Sequence, residues 1–166
     1  MAYITFKNME EYQAKINKLA KKSKALCKQV VYDGTGVMAD AMKEALRDLP
    51  IEEGKNGLPP YAPPGGKLTG VSTKQRNDLI DSMGVTKISE DRGYIYAKIG
   101  WDGYGSVKTK RWPKGVPNVL LMRSIEAGTR FRVKKPIVRQ TINKNKSKTL
   151  KKMQNTTDEI LEKEFK

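Results

Sequence analysis

Residues 9–50 read MEEYQAKINKLAKKSKALCKQVVYDGTGVMADAMKEALRDLP. Met9, Tyr12, Ile16, Leu19, Leu26, Val30, Val37, Ala41, Ala45 and Leu49 recur at helical spacing on one stripe, which predicts one long helix from Met9 to Leu49. Gly34 and Gly36 are its weak point, each costing about 1 kcal/mol relative to alanine in a helix interior, so a bend or break there is the competing expectation. Pro50 ends the element. At the other end Asn8 stands as N-cap, with Glu10 and Glu11 in the first turn where the helix dipole favours negative charge. Residues 3–6 alternate and read as a short strand.

After Pro50 the pattern changes. Residues 54–70 hold five glycines and four prolines, a long loop of the kind that forms a contact arm. Ser72 and Gln75 make a capping-box pattern for a short helix that buries Leu79, Ile80 and Met83 and stops at Gly84. Residues 85–88 and 94–101 alternate on either side of Glu90-Asp91-Arg92-Gly93 and predict a β-hairpin. Residues 103–117 form a second long loop carrying Lys108, Lys110, Arg111, Trp112 and Lys114. A short helix over 119–127 ends at Gly128, and a basic C-terminal helix over 136–164 starts at Pro136, with 143–147 weakening its middle. The expected fold is α+β. A long N-terminal and a C-terminal helix pack on a small antiparallel β-sheet, with two long loops, in a single domain spanning 1–166.

With 37% apolar and 31% charged residues, the chain supports one modest core, and self-association would add stability. Lys and Arg number 33 against 18 Asp and Glu, an excess of +15 that attracts polyanions. Cys27 is the only cysteine, so no intramolecular disulfide forms and a cytosolic or virion-internal compartment is expected. The first residues lack the apolar run of a signal peptide, and no stretch approaches the roughly 20 apolar residues of a membrane span.

Histidine is absent from the sequence, which removes the usual general base, the Ser-His and Cys-His pairs and the commonest zinc ligand. Cys27, between Lys24 and Lys28, reads as a small packing residue beside the apolar stripe rather than as a reactive thiol. Glu90-Asp91 with Lys98 suggests a metal-dependent nuclease, but the acids lie in a turn and lack a third ligand at convincing spacing. Gly65-Gly66-Lys67 lacks the spacing and preceding strand of a phosphate-binding loop. The expectation is a non-enzymatic protein without catalytic residues, cofactor or metal.

Between Glu126 and Asp158 there is no acidic residue. Arg130, Arg132, Lys134, Lys135, Arg139, Lys144, Lys146, Lys148, Lys151 and Lys152 all fall there. Exposed helices normally mix signs, so so lopsided a stretch points to an electrostatic contact rather than a merely solvated face. Without a helix-turn-helix, zinc finger or RNP-type motif, that contact would meet phosphates, or an acidic partner, and read no bases.

Several short motifs then fall in a telling order: Leu49-Pro50, Thr69-Gly70, Leu79 with Ser82, Gly100 after the hairpin, Glu126-Ala127-Gly128-Thr129, and Pro136 to Arg139. In that order the chain resembles the neck or tail-component family of long-tailed phages, typified by gene product ten of phage HK-ninety-seven. It departs from the family pattern in an apparent insertion over 71–78, in Gln140-Thr141 after the arginine, and in a longer basic C-terminal extension. The resemblance implies a structural virion protein of the neck or tail, present in the host cytoplasm during assembly. It would form a homo-oligomeric ring that joins head to tail or completes the tail. Its partners would be head-closure and tail-terminator proteins, with genomic DNA passing non-specifically through the lumen. Glu126, Gly128, Thr129, Pro136 and Arg139 would be architectural, Arg139 pairing through its planar fork with a carboxylate such as Glu126 of the same or a neighbouring subunit. The alternative is a sequence-independent nucleic-acid-binding protein of prophage or plasmid origin.

Overall fold

The computed structural model describes residues 9–165, so the strand expected over 3–6 and the N-cap at Asn8 lie outside the described residues. Helix α1 runs unbroken over Met9–Arg47. Neither Gly34 nor Gly36 bends it out of helical geometry, because the two play different parts. Gly34 is buried at the crossing with the C-terminal helix, and a Cβ there would lie 2.6 Å from Met153 Cγ and 2.8 Å from its sulfur. Gly36 faces open space and is simply tolerated. The C-terminal helix α4 (Ile137–Phe165) is also continuous through its Asn- and Ser-containing middle.

The two helices pack antiparallel. Thr156 donates to the Asp33 carboxylate at 2.8 Å, and Ala45 and Leu49 share a groove with Ile137 and Thr141. Extending this register brings Phe165 level with about residue 24, so α1 projects beyond α4 by roughly 15 residues, about 22 Å. Ile16, expected on the buried stripe, is therefore 49% exposed, and Cys27, expected to pack, is exposed. Burial begins further along, where Ala39, Met42, Leu46 and Leu49 enter the core.

Helix α2 (Thr73–Asp81) begins with the expected capping box: Ser72 Oγ accepts from Gln75 N–H while the Gln75 side chain accepts from Ser72 N–H. Thus the apparent insertion over 71–78 is the strand-like entry and most of this helix, and it delivers the fully buried Leu79 to the core. The hairpin follows as β1 (Met83–Val85), β2 (Ser89–Asp91), β3 (Tyr94–Tyr96) and β4 (Ile99–Trp101). Strand β1 pairs antiparallel with β4 and β2 with β3. Met83 faces Trp101 and Val85 faces Ile99, whereas Ser89 faces Tyr96, so three residues (86–88) oppose two (97–98). One extra residue is a bulge, and it divides a single hairpin into two short ladders. Arg92 (φ 48°) and Gly93 (φ 83°) both take left-handed geometry in the two-residue turn, as a primed turn requires. The hairpin lies along α1, with Lys24 ion-paired to Glu90 near its tip.

Helix α3 (Asn118–Ala127) contributes Leu121, Met122 and Ile125 to the core, which it shares with α1, Val71, Leu79 and Met83. Ile80, Ile99, Trp101, Val116, Ile137 and Val138 pack around that centre. The architecture is α+β, as expected. Among the described residues no helix is long and apolar enough to cross a membrane.

Candidate functional site

Several residues of the short motifs singled out in the sequence form joints between elements. Glu126, near the end of α3, turns its carboxylate onto the first turn of α4, accepting from Val138 N–H at 2.9 Å and Arg139 N–H at 3.2 Å. These amides have no partner inside their own helix, and a carboxylate at a helix N-terminus also meets the positive end of the helix dipole. Glu126 thus reaches Arg139 through its backbone, and no ion pair joins the exposed Arg139 side chain to Glu126 of the same chain, which leaves the fork pairing with a neighbouring subunit. Pro136 supplies the carbonyl that accepts from Gln140 N–H, as an N-cap residue does.

Gly128 ends α3 with φ 74°, and a Cβ there would meet Lys134 backbone at 3.0 Å, so glycine is required on both counts. Thr129 and Arg132 close the connecting turn through paired backbone bonds, and Phe131 N–H donates to Thr129 Oγ1. Arg132 breaks from the other cations of its stretch. It is only 9% exposed, and its guanidinium donates to Gly70 carbonyl oxygen. It therefore ties the α3–α4 corner to the first long loop rather than facing a polyanion. Burial pulls its pKa below the ordinary arginine value, and the nearby Glu52 carboxylate opposes that shift.

Glu52 is a residue the sequence did not single out. Its Oε2 accepts from Thr69 N–H at 2.6 Å, Thr69 Oγ1 at 3.2 Å and Gly70 N–H at 2.8 Å. The Gly70 and then the Thr69 backbone bonds hold its pKa below the usual glutamate value, and Thr69 Oγ and Arg132 add to that. Gly70 has no room for a side chain, since a Cβ would lie 2.5 Å from Pro50 carbonyl oxygen. Glu53 repeats the device one residue on, accepting from Thr73 N–H at 2.8 Å, and Thr73 lowers its pKa. The loop over 54–70 is therefore closed at its neck, with Tyr61 98% exposed near its far end. No spacing rule links a glutamate to amides 17 to 20 residues away, which is why this latch was not legible.

The basic residues do not form one face. At about 100° per residue on α4, Lys144, Lys148 and Lys151 follow one flank, with Lys152 beside them. Arg139 and Lys146 lie on the other flank. Three of the first group border acidic residues of α1 or the turn after it: Lys148 shares a groove with Asp40 and Glu44, Lys144 with Asp48, and Lys152 with Asp33 and Asp40. Arg130, Lys134 and Lys135 sit on the corner, where Arg130 stacks over the exposed Phe131 at 5.8 Å. Among the described residues no group of three His, Cys, Asp or Glu side chains converges to hold a metal ion, and Glu90 and Asp91 lie on β2.

No protein-family model, characterised protein or solved structure matches this chain, so its functional reading rests on the joints and surfaces described above.

Proposed function

We propose that this chain is a structural protein of the phage neck or tail, acting in a homo-oligomeric ring that joins head to tail or completes the tail, without catalysis or a cofactor. The observation that carries the reading is how the motif residues are used. Glu126, Gly128 and Pro136 set the angle between α3 and α4, and Gly70 receives the latch from Arg132. Their roles are architectural, as the resemblance implies. Large apolar side chains face outward on the loops and helix ends: Tyr61, Tyr104, Val119, Leu120 and Phe131. Such side chains, set on long loops and helix ends, suit contacts with neighbouring subunits.

The partners would be further copies of the chain, the head-closure and tail-terminator proteins on either side, and genomic DNA met through its phosphates. Light scattering and negative-stain microscopy of the purified protein test this, alone and with portal-proximal proteins. Rings or partner-induced oligomers are expected. A monomer under both conditions would defeat the reading.

A further inference from the structure

We propose that the tip of the second long loop, residues 108–114, is the chain's nucleic-acid contact, gripping the phosphates of a duplex without reading its bases. This deepens the neck reading, on which it rests for the presence of DNA, and it moves the expected contact away from α4.

The loop is a finger rather than a slack connection. Tyr104 and Pro117 pair at its base, Gly105 N–H donates to Val116 carbonyl at 2.8 Å, and Val116 N–H donates to Val107 carbonyl at 3.0 Å. Asp78 of α2 anchors one arm, accepting from Ser106 N–H at 2.7 Å and Ser106 Oγ at 3.0 Å. Val107 is buried. The arms can run this close because Gly105 and Gly115 lack side chains: a Cβ on Gly115, whose φ is 111°, would overlap the Gly105 carbonyl oxygen. At the end, Thr109 and Trp112 exchange backbone bonds of 3.1 and 3.0 Å, which closes a tight turn.

The tip carries Lys108, Lys110, Arg111 and Lys114, all exposed, and none of them forms an ion pair with a described residue. No acidic residue occurs from Gly103 to Ile125. Asp78, which holds Ser106, lies roughly two extended residues (about 7 Å) from Lys108, but four or more, about 13 Å and beyond a Debye length at ~0.1 M salt, from Lys110 and Arg111. On α4, Lys144, Lys148 and Lys152 likewise form no ion pair with a described residue, but they share grooves with Asp33, Asp40, Glu44 and Asp48. The least compensated cluster is therefore the finger tip.

Phosphates fit it better than an acidic protein surface. A protein interface needs an apolar centre, and the tip offers only Trp112 and Pro113, the indole partly buried with Arg111 5.7 Å over its ring. A guanidinium held on an aromatic face loses little freedom on binding and presents a planar fork to phosphate oxygens. Because the ring is already covered, the tip is not built to intercalate.

The test is fluorescence anisotropy on a short duplex of mixed sequence across a salt series. The finger variant K110Q/R111Q/K114Q is compared with wild type and with the helix variant K144Q/K146Q/K148Q/K151Q/K152Q. Each phosphate contact contributes about 0.9 to the slope of log K against log salt. The finger variant should therefore lose about 2.7 of slope and on the order of 10²-fold in affinity near 0.1 M salt, whereas the helix variant should stay within about threefold. A thermal melt matching wild type excludes misfolding of these exposed substitutions. A finger variant that keeps wild-type affinity overturns the proposal, as do equal losses in both variants or a wild type that ignores DNA at low salt. Light scattering of the same variants reports ring assembly separately, so loss of DNA binding with intact rings, or the reverse, shows which reading has failed.

Discussion

Removing the Glu126 carboxylate should loosen the start of α4 and lower the stability of the whole fold. Its two acceptor oxygens serve Val138 N–H and Arg139 N–H at 2.9 and 3.2 Å. Loss of an N-terminal cap costs about 0.5–2 kcal/mol, and the lost interaction with the helix dipole adds about 0.3–1 kcal/mol. Fraying does not stop at the amides. Val138 packs against the core, so its side chain is exposed together with the first turn. Glu126→Ala should therefore destabilise by about 2 kcal/mol, a fall in melting temperature of about 4–8 °C for a chain of this size. Glu126→Gln should cost about half as much, since its amide oxygen can still accept one bond but the charge is gone.

Urea denaturation of the monomer gives the free energy, and hydrogen exchange at Val138 and Arg139 locates it. Both amides should lose protection in Glu126→Ala, ahead of amides in the middle of α4. If the variant unfolds within about 0.3 kcal/mol of wild type and both amides stay protected, the capping argument is wrong. If it unfolds normally yet no longer assembles, Glu126 serves a neighbouring subunit instead.

Four further outcomes follow from the same geometry. Gly36→Ala should stabilise by about 0.4–1 kcal/mol in thermal melts, because it gains helix propensity in open space. Gly34→Ala should instead lower stability by about 1 kcal/mol, because its Cβ would strike Met153 and overpack the α1–α4 crossing. For Glu52, whose folded pKa lies below the ordinary 4.5, the ionised form stabilises above that value and the contribution is lost as pH falls through the folded pKa. Stability measured against pH should thus fall more steeply below about pH 4.5 in wild type than in Glu52→Gln, and parallel curves would show the latch to be idle. Gly115→Ala should open the finger, so that trypsin cuts within 108–114 faster than in wild type while far-UV circular dichroism is unchanged; equal cutting rates would count against the close approach to Gly105.

What the sequence made legible was periodic or local. The helical stripe gave α1, Ser72 and Gln75 gave the start of α2, and Gly128 and Pro136 marked the ends of two helices correctly to within a residue. Periodicity overreached at Ile16, because a stripe says which face is apolar but not whether a partner helix is long enough to cover it. Cys27, expected to pack, is exposed although the register carries α4 past it. Long-range polar contacts were not legible, since Glu52 with Thr69 and Gly70 spans 17 and 18 residues, Asp78 with Ser106 spans 28 and Asp33 with Thr156 spans 123. Arg132 shows the limit of reading charge by count. Nothing in a run of ten cations marks which one turns inward to meet Gly70.

The placement of the acids explains how the chain carries an excess of +15 with its most basic surface at the periphery. Glu52, Glu53, Asp78 and Glu126 each direct a carboxylate at backbone N–H groups within the body. They tie the segment after Pro50 to Thr69, Gly70 and Thr73, hold the base of the finger and start α4. Asp33 holds α1 to α4 through the Thr156 hydroxyl, and Asp40, Glu44 and Asp48 line grooves beside the α4 lysines. Much of the negative charge is thus committed to joints, where it stabilises the connections between elements. The cations left without such neighbours are those that protrude, above all Lys108, Lys110, Arg111 and Lys114 on the finger. Stability and polyanion attraction are thereby separated in space. Acid that neutralises Glu52 and Glu53, whose backbone bonds hold their pKa below the usual glutamate value, should loosen their joints, whereas salt that screens the finger should leave the body folded.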